Sequence, residues 1–319
     1  MTGPITAAPA LQPAPDLRRI EIIANEHSGN VGAGAAAEAE AIARGLGFDA
    51  HGHAVTPQDL RDALTAAVER RPDLLVVIAG DGTANMAATL CGPDGPLLAC
   101  LAGGTMNMLP RALYGSRDWK TALQAILEDG AIMPVAGGEV NGSAFHVAAI
   151  LGNPALWATA REAIRDGKLD EAWRRALYAW KRAFRTKLHY VLDGGMRGKA
   201  EGLGLLCPIV SKGISDDTAA LEAAAVDPPS MIAVLRLGLD TLVLPFINPL
   251  LGGNWRTHPF VKTGETRSGH CSGRRHIHAI LDGEIVRLPK YVEISFTQVA
   301  FRALVVAADN GRPEGGATV

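Results

Sequence analysis

The chain has 319 residues, 48% of them hydrophobic, which is enough for two domains that each bury a core. The formal net charge of −2 gives no overall electrostatic case for binding nucleic acid. No stretch reaches about 18 uninterrupted apolar residues, so the sequence excludes a transmembrane helix and leaves only peripheral membrane contact.

Residues 1–17 carry several prolines and lack a basic segment, so we expect a disordered tail rather than a secretory signal. The 4 cysteines show no CxxC spacing. Isolated cysteines in apolar surroundings are typical of the reduced cytoplasm.

Residues 18–134 alternate strand and helix patterns, which predicts an α/β domain with a parallel, doubly wound sheet. The second predicted strand leads into Thr56-Pro57, which is typical of a helix start with a capping threonine. The predicted strands are Arg19–Ala24, Asp49–Val55, Leu74–Ala79 and Leu97–Ala102.

The last two of these strands are each followed by a glycine turn and a helix-like segment, Ala84–Leu90 or Met106–Leu113. We expect Thr83 and Thr105 to cap these helices. The free N–H groups of two helix N-termini would then point into one crevice, where an anion can bind. A single Gly-Asp-Gly is more often a plain turn, so the repetition is what predicts a phosphate site.

Asp81 lies between the two glycines of the first turn. A carboxylate beside a phosphate is repulsive unless a cation answers it, so Asp81 predicts Mg²⁺ together with a nucleotide. The loop after the first strand, 25–34, also contains glycines and could indicate a dinucleotide fold. Its GxxGxG spacing differs from the GxGxxG of that fold.

After Gly130 the pattern changes to strands without intervening helices. Asn141-Gly142 and Asp282-Gly283 are strong hairpin signals. Residues 135–299 are therefore predicted to form a β-rich second domain.

Two segments of this second domain could contact a membrane. Residues 171–187 combine an aromatic stripe with basic side chains, which suits an interfacial helix or, alternatively, an amphipathic helix packed on the sheet. Residues 235–255 are apolar but interrupted by proline and glycine, so they could line a lipid pocket or dip into headgroups.

Four motifs resemble those of one family: NEHSG at 25–29, AGDGTAN at 79–85, LAGGTMN at 101–107 and LDGE at 281–284. In this order they are similar to the catalytic domain of the diacylglycerol, sphingosine and ceramide kinases, in a superfamily that includes the NAD kinases. Glu26 departs from the family pattern, which has proline there. The resemblance implies a nucleotide domain, a sandwich-like lipid domain and a return of residues 300–308 to the first domain.

The resemblance implies ATP and Mg²⁺ as cofactors and an active site between the domains, with Glu284 as proton acceptor. Asp81 would be catalytic and would hold the metal together with Asp282. The nucleotide would contact Asn25, Ser28, Thr56, Gly80, Asp81, Gly82, Thr83, Asn85, Gly104, Thr105 and Asn107. Substrate or membrane contacts would come from Asn153, Trp173, Arg174, Trp180 and Arg182.

In sphingosine kinases, by this resemblance, an acid reads the amine of the acceptor, whereas the matching stretch here, 151–155, contains Asn153 and no acid. A buried ammonium without a carboxylate is costly, so we expect a neutral lipid alcohol, diacylglycerol or ceramide. The alternatives are a NAD kinase and a lipid-binding protein without transfer activity. The expected location is cytoplasmic, on the inner face of the membrane, in an oligomeric state that could be a homodimer.

Overall fold

A computed structural model of the chain describes residues 11–13, 16–29, 31–155, 187–212, 219–230 and 255–307. By its internal contacts the chain divides into two units. The first comprises Met1–Gly137, Pro208–Ala219 and Thr297–Pro313, and the second comprises Gly138–Cys207, Ala220–Phe296 and Glu314–Val319.

The first unit is built on a sheet whose strands follow the order β17–β5–β4–β2–β3, all paired in parallel. All six residues of β4 are buried, as expected for a strand covered on both faces. The predicted strands are confirmed, except that β3 ends one residue earlier than expected. The bounds are β1 Gln12–Pro13, β2 Arg19–Ala24, β3 Asp49–Ala54, β4 Leu74–Ala79, β5 Leu97–Ala102, β6 Gly130–Val140 and β17 Tyr291–Val306.

Helices cover this sheet in two groups: α1 contacts α5, whereas α3 contacts both α2 and α4. This grouping is typical of a doubly wound sheet with helices on both faces. The helices are α1 Ala35–Gly45, α2 Leu60–Glu69, α3 Asp81–Cys91, α4 Met108–Tyr114, α5 Trp119–Glu128 and α6 Pro208–Ser211.

The predicted disordered tail needs one correction. Gln12 and Pro13 form the short strand β1, which pairs antiparallel with Ile132 and Ala131 of β6. A proline is tolerated in β1 because this strand pairs only with β6 among the described strands, so no second strand needs a backbone N–H from it.

The described strands of the second unit pair antiparallel, which confirms the predicted β-rich domain, and a 3-10 helix, Trp255–Thr257, precedes β13. One sheet has the order β13–β12–β11–β8–β15–β16, and β10–β9–β14 continues onto the first residues of β17. The strands are β7 Ser143–Phe145, β8 Ala148–Gly152, β9 Leu188–Leu192, β10 Arg197–Ala200, β11 Gly202–Leu206, β12 Leu221–Val226, β13 Val261–Thr266, β14 Ser268–Ser272, β15 Ile277–Leu281 and β16 Glu284–Leu288.

Both predicted hairpins are confirmed. Asn141 and Gly142 have φ of 52° and 81°, and Asp282 and Gly283 have φ of 46° and 90°. Two successive positive φ values are what a two-residue hairpin turn with the correct twist requires, and Asn, Asp and Gly adopt them at least cost.

All four cysteines are free and buried. Burial raises the pKa of Cys91 and of Cys271 to about 12, so these thiols are poor nucleophiles. In the described part of the chain, no helix is both long and apolar enough to cross a membrane.

Candidate active site

The loops that follow β2, β4 and β5 meet at the carboxyl ends of these three strands. A methyl carbon placed on Gly104 would lie 2.7 Å from the Cα of Gly80, so the two glycine turns touch. The Ser28 hydroxyl lies 3.5 Å from a methyl carbon placed on Gly80. The three motif segments of the first unit therefore form one site, at the strand end where open α/β sheets bind ligands.

The first loop is closed by its own polar groups. The Asn25 backbone N–H donates to Ile78 of β4 at 3.0 Å, while its carbonyl accepts from the Ser28 N–H at 2.9 Å. The Glu26 carboxylate accepts from the Gly34 N–H at 3.0 Å, at the start of α1. Glu26, which stands where the family has proline, thus restrains the loop with a side-chain bond.

The first glycine turn differs from the prediction in one respect. Helix α3 begins at Asp81, not at Ala84, and its N-cap is the extended Gly80 rather than Thr83. Thr83 lies inside the first turn of the helix. No side chain caps α3, so its first N–H groups are left for an anion.

The second turn corrects the prediction further. The Asn107 side chain accepts from the Gly104 N–H at 2.7 Å and donates to the Gly104 carbonyl at 2.8 Å. Asn107 takes a left-handed conformation, with φ of 51°, so α4 begins only at Met108 and Thr105 is exposed outside it. Buried Asn107 thus braces the turn.

Asp81 connects the two turns. Its Oδ1 accepts a hydrogen bond of 2.5 Å from the Met108 N–H, the first backbone donor of α4. At α4, one N–H group of the first turn is therefore already bonded to Asp81, whereas no side chain of the described residues caps α3. The expectation that two helix N-termini share one crevice stays a prediction. No hydrogen bond or ion pair from the described residues reaches Oδ2, the other carboxylate oxygen of Asp81.

Three other predicted nucleotide residues differ in their exposure. Asn85 and Gly82 are half-buried on the first turns of α3, and their contact with a nucleotide stays a prediction. Thr56 is exposed, and its hydroxyl donates to Asp59 at 2.7 Å. Since α2 begins at Leu60 with Asp59 as N-cap, Thr56 does not cap this helix.

In the second unit, the Asp282 side chain holds a backbone segment in place. It is 3% exposed, and its carboxylate accepts from the N–H groups of His146, Val147 and Ala148 at 2.6–2.9 Å. Because both oxygens accept from backbone donors, Asp282 is poorly placed to bind the predicted metal. Glu284, two residues later, is exposed at the first position of β16.

His146, beside Asp282, is 2% exposed. Burial lowers the pKa of His146 to about 4, so the ring is neutral at physiological pH.

The surroundings of Asn153 differ from the prediction that no acid lies near it. Its amide donates to Oε2 of Glu201 at 2.6 Å, and its backbone N–H donates to the Glu201 carbonyl at 3.1 Å. Glu201 is 4% exposed, and no hydrogen bond from the described residues reaches its other carboxylate oxygen, Oε1. An acid therefore does lie beside Asn153, supplied by the residue before β11, and sequence spacing gave no signal for it.

Four predicted membrane residues, Trp173, Arg174, Trp180 and Arg182, lie outside the described residues, as do residues 235–254. Their role stays a prediction. Among the residues that the structure does describe, no group of three or more His, Cys, Asp or Glu side chains could hold a metal.

The fold and these turns define a protein with an α/β unit, whose glycine turns meet at the strand ends, and a β-rich unit. Residues 19–140 match the model of the family described as the diacylglycerol kinase catalytic domain. This match confirms the family resemblance that the motifs predicted.

Solved structures confirm the fold. A diacylglycerol kinase from Bacillus anthracis str. Sterne is similar with a TM-score of 0.63 and 16% identity, covering 92% of this chain and 99% of that one. A provisionally named diacylglycerol kinase from the same organism has a TM-score of 0.66 and 19% identity over 92% and 99% of the two chains. No curated protein matches this sequence.

Proposed function

We propose that the protein is an ATP-dependent lipid kinase that transfers the γ-phosphoryl group to a lipid hydroxyl at the inner face of the membrane. One observation carries the proposal: the loops after β2, β4 and β5 converge on the open N-terminus of α3. Phosphoryl transfer depends on positioning and on charge stabilisation, and backbone N–H groups at such a site supply both.

Mg²⁺ fits the donors present at this site. Mg²⁺ is usually held by one or two carboxylates together with substrate phosphates and water, and Asp81 has one oxygen beyond its bond to Met108. When bound, the ion would neutralise charge on the phosphate oxygens. Asp81 is therefore the proposed metal ligand of the first unit.

Glu284 is the proposed proton acceptor. The lipid hydroxyl would give its proton to this carboxylate as the oxygen bonds to the γ-phosphorus, and the bond to the departing ADP breaks. Its exposed position at the start of the second strand of a hairpin supports this role, because the side chain is available to a substrate.

The proposed acceptor is a neutral lipid alcohol, with diacylglycerol first because of the matched family and ceramide second. Glu201, beside Asn153, carries a carboxylate that could pair with an amine. Sphingosine therefore belongs among the acceptors to be tested.

The deciding experiment follows labelled γ-phosphate from ATP·Mg²⁺ into diacylglycerol, ceramide or sphingosine in mixed micelles, and into NAD. We expect label in diacylglycerol or ceramide and none in NAD. Gly82→Val should abolish ATP binding in calorimetry because a side chain would enter the phosphate path. Label in NAD alone would make the protein a NAD kinase, and lipid binding without ATP turnover would make it a binding protein.

A further inference from the structure

The six-stranded sheet of the second unit has an outward face that is rich in apolar residues. One face carries core residues such as Leu151, Leu205 and Ala279, each 0% exposed. If water covered the opposite face, its positions along each strand would carry polar side chains. Instead its positions on β8, β11, β15 and β16 include Ala148, Ile150, Gly204, Leu206, Ile280 and Ile285.

Three isoleucines form a continuous row across this outward face. Ile280 is paired with Ile150 on one side and with Ile285 on the other, and directly paired residues share a face. Ile150 is 38% exposed and Ile285 is 39% exposed. Contiguous exposed apolar surface on a sheet is typical of an interaction site.

Basic side chains border this row. Arg287 is paired with His278 on the same outward face, two residues from Ile285. Arg274 and Arg275, in the loop before β15, line a small cleft together with His278 and Gly152 of the face. All three arginines are exposed, and none forms a recorded hydrogen bond or ion pair with the described residues.

We propose that the outward face, with its isoleucine row and these three arginines, docks on a membrane that contains anionic lipids. Charge complementarity selects this partner, because exposed arginines beside an apolar row match a surface with anionic headgroups above acyl chains. The proposal deepens the proposed function by naming the surface through which such a kinase would reach its lipid. Vesicle binding is measured without ATP, so the two proposals fail independently.

The second unit offers a matched control. Val191, 45% exposed on β9, is paired with Arg197 on edge strand β10 of the other sheet, so this pair reproduces an exposed apolar residue beside an exposed arginine. The test compares Ile285→Asn/Arg287→Gln with Val191→Asn/Arg197→Gln. Each is measured by flotation with vesicles of phosphatidylcholine alone and of phosphatidylcholine with phosphatidylglycerol.

We expect wild-type protein to bind the anionic vesicles more tightly, with binding that weakens as salt rises. Loss of one basic charge should cost roughly fivefold in partitioning. Loss of one inserted aliphatic side chain should cost roughly tenfold. The Ile285/Arg287 variant should therefore fall by about fiftyfold, while the Val191/Arg197 variant stays near wild type.

The proposal is overturned if both variants bind anionic vesicles equally, or if wild type binds neutral and anionic vesicles alike. A large fall in the melting temperature of the Ile285/Arg287 variant, with vesicle binding retained, would mean that other residues of the chain cover the face. If that variant does not fold, Arg274→Gln/Arg275→Gln in the exposed loop decides. Unchanged binding of the loop variant would also refute membrane docking.

Discussion

Gly104→Ala tests the contact between the two glycine turns. The added methyl carbon would lie 2.7 Å from the Cα of Gly80 and 3.3 Å from Oδ1 of Asn107. This is about 0.8 Å inside the optimum carbon–carbon separation of roughly 3.5 Å. The turn cannot easily retreat, because both backbone polar groups of Gly104 are bonded to the Asn107 side chain.

We expect Gly104→Ala to lower the free energy of unfolding by about 1–3 kcal/mol, the usual cost of overpacking. Gly80→Ala is the matched control for stability: its methyl would meet the Ser28 hydroxyl at 3.5 Å, and φ at Gly80 is −80°, which alanine adopts freely. Its stability should change by no more than about 0.5 kcal/mol. Urea denaturation followed by circular dichroism measures both.

Gly104→Ala should also weaken ATP·Mg²⁺ binding in calorimetry by roughly tenfold. A displaced glycine turn that loses about 1.4 kcal/mol of binding free energy gives that factor. Gly45→Ala, at the end of α1 where a methyl meets nothing within 4 Å, controls for the substitution itself. Equal stability of the two turn variants, together with wild-type ATP affinity for Gly104→Ala, would refute the proposed contact and its role.

Four further predictions concern single side chains. Asp81→Asn should reduce turnover while keeping stability, because the amide oxygen can still accept from Met108, whereas Asp81→Ala should also lose about 1 kcal/mol in denaturation. Glu284→Gln should keep ATP binding and lower the transfer rate by roughly 10²-fold or more; a wild-type rate would return Glu284 to a turn residue. Asp282→Ala should cost about 3 kcal/mol or more of stability by leaving three backbone donors without their acceptor, and a smaller loss would contradict the geometry. His146 has a pKa of about 4 in the folded state and about 6.5 in the unfolded state, so the unfolded state binds the proton more tightly. The free energy of unfolding, measured by denaturation at each pH, should therefore fall by up to about 3 kcal/mol between pH 6.5 and pH 4, and by less in His146→Gln.

Sequence patterns predicted the framework well where local chemistry decides structure. Continuous apolar runs located β4 and β5, and Asn-Gly and Asp-Gly located two hairpins. In each case the signal and the structure have the same cause, burial on both faces or tolerance of positive φ.

The helix starts were harder to predict because long-range contacts decide them. A threonine before an apolar segment is a reasonable cap from sequence alone. Here Asn107 bonds back to Gly104 and Asp81 reaches across from α3 to Met108, so α4 starts later than its own sequence indicates. The Glu201–Asn153 pair was missed for the same reason: the two residues are 48 positions apart.

The bond between Asp81 and Met108 also restricts what evolution can place at position 81. One oxygen must accept the first N–H of α4, and the proposed metal requires a negative charge on a side chain of the same length. Asparagine meets only the first demand, alanine meets neither, and glutamate carries the charge on a longer stem. A descendant that kept this fold while losing phosphoryl transfer would therefore be expected to carry asparagine at this position.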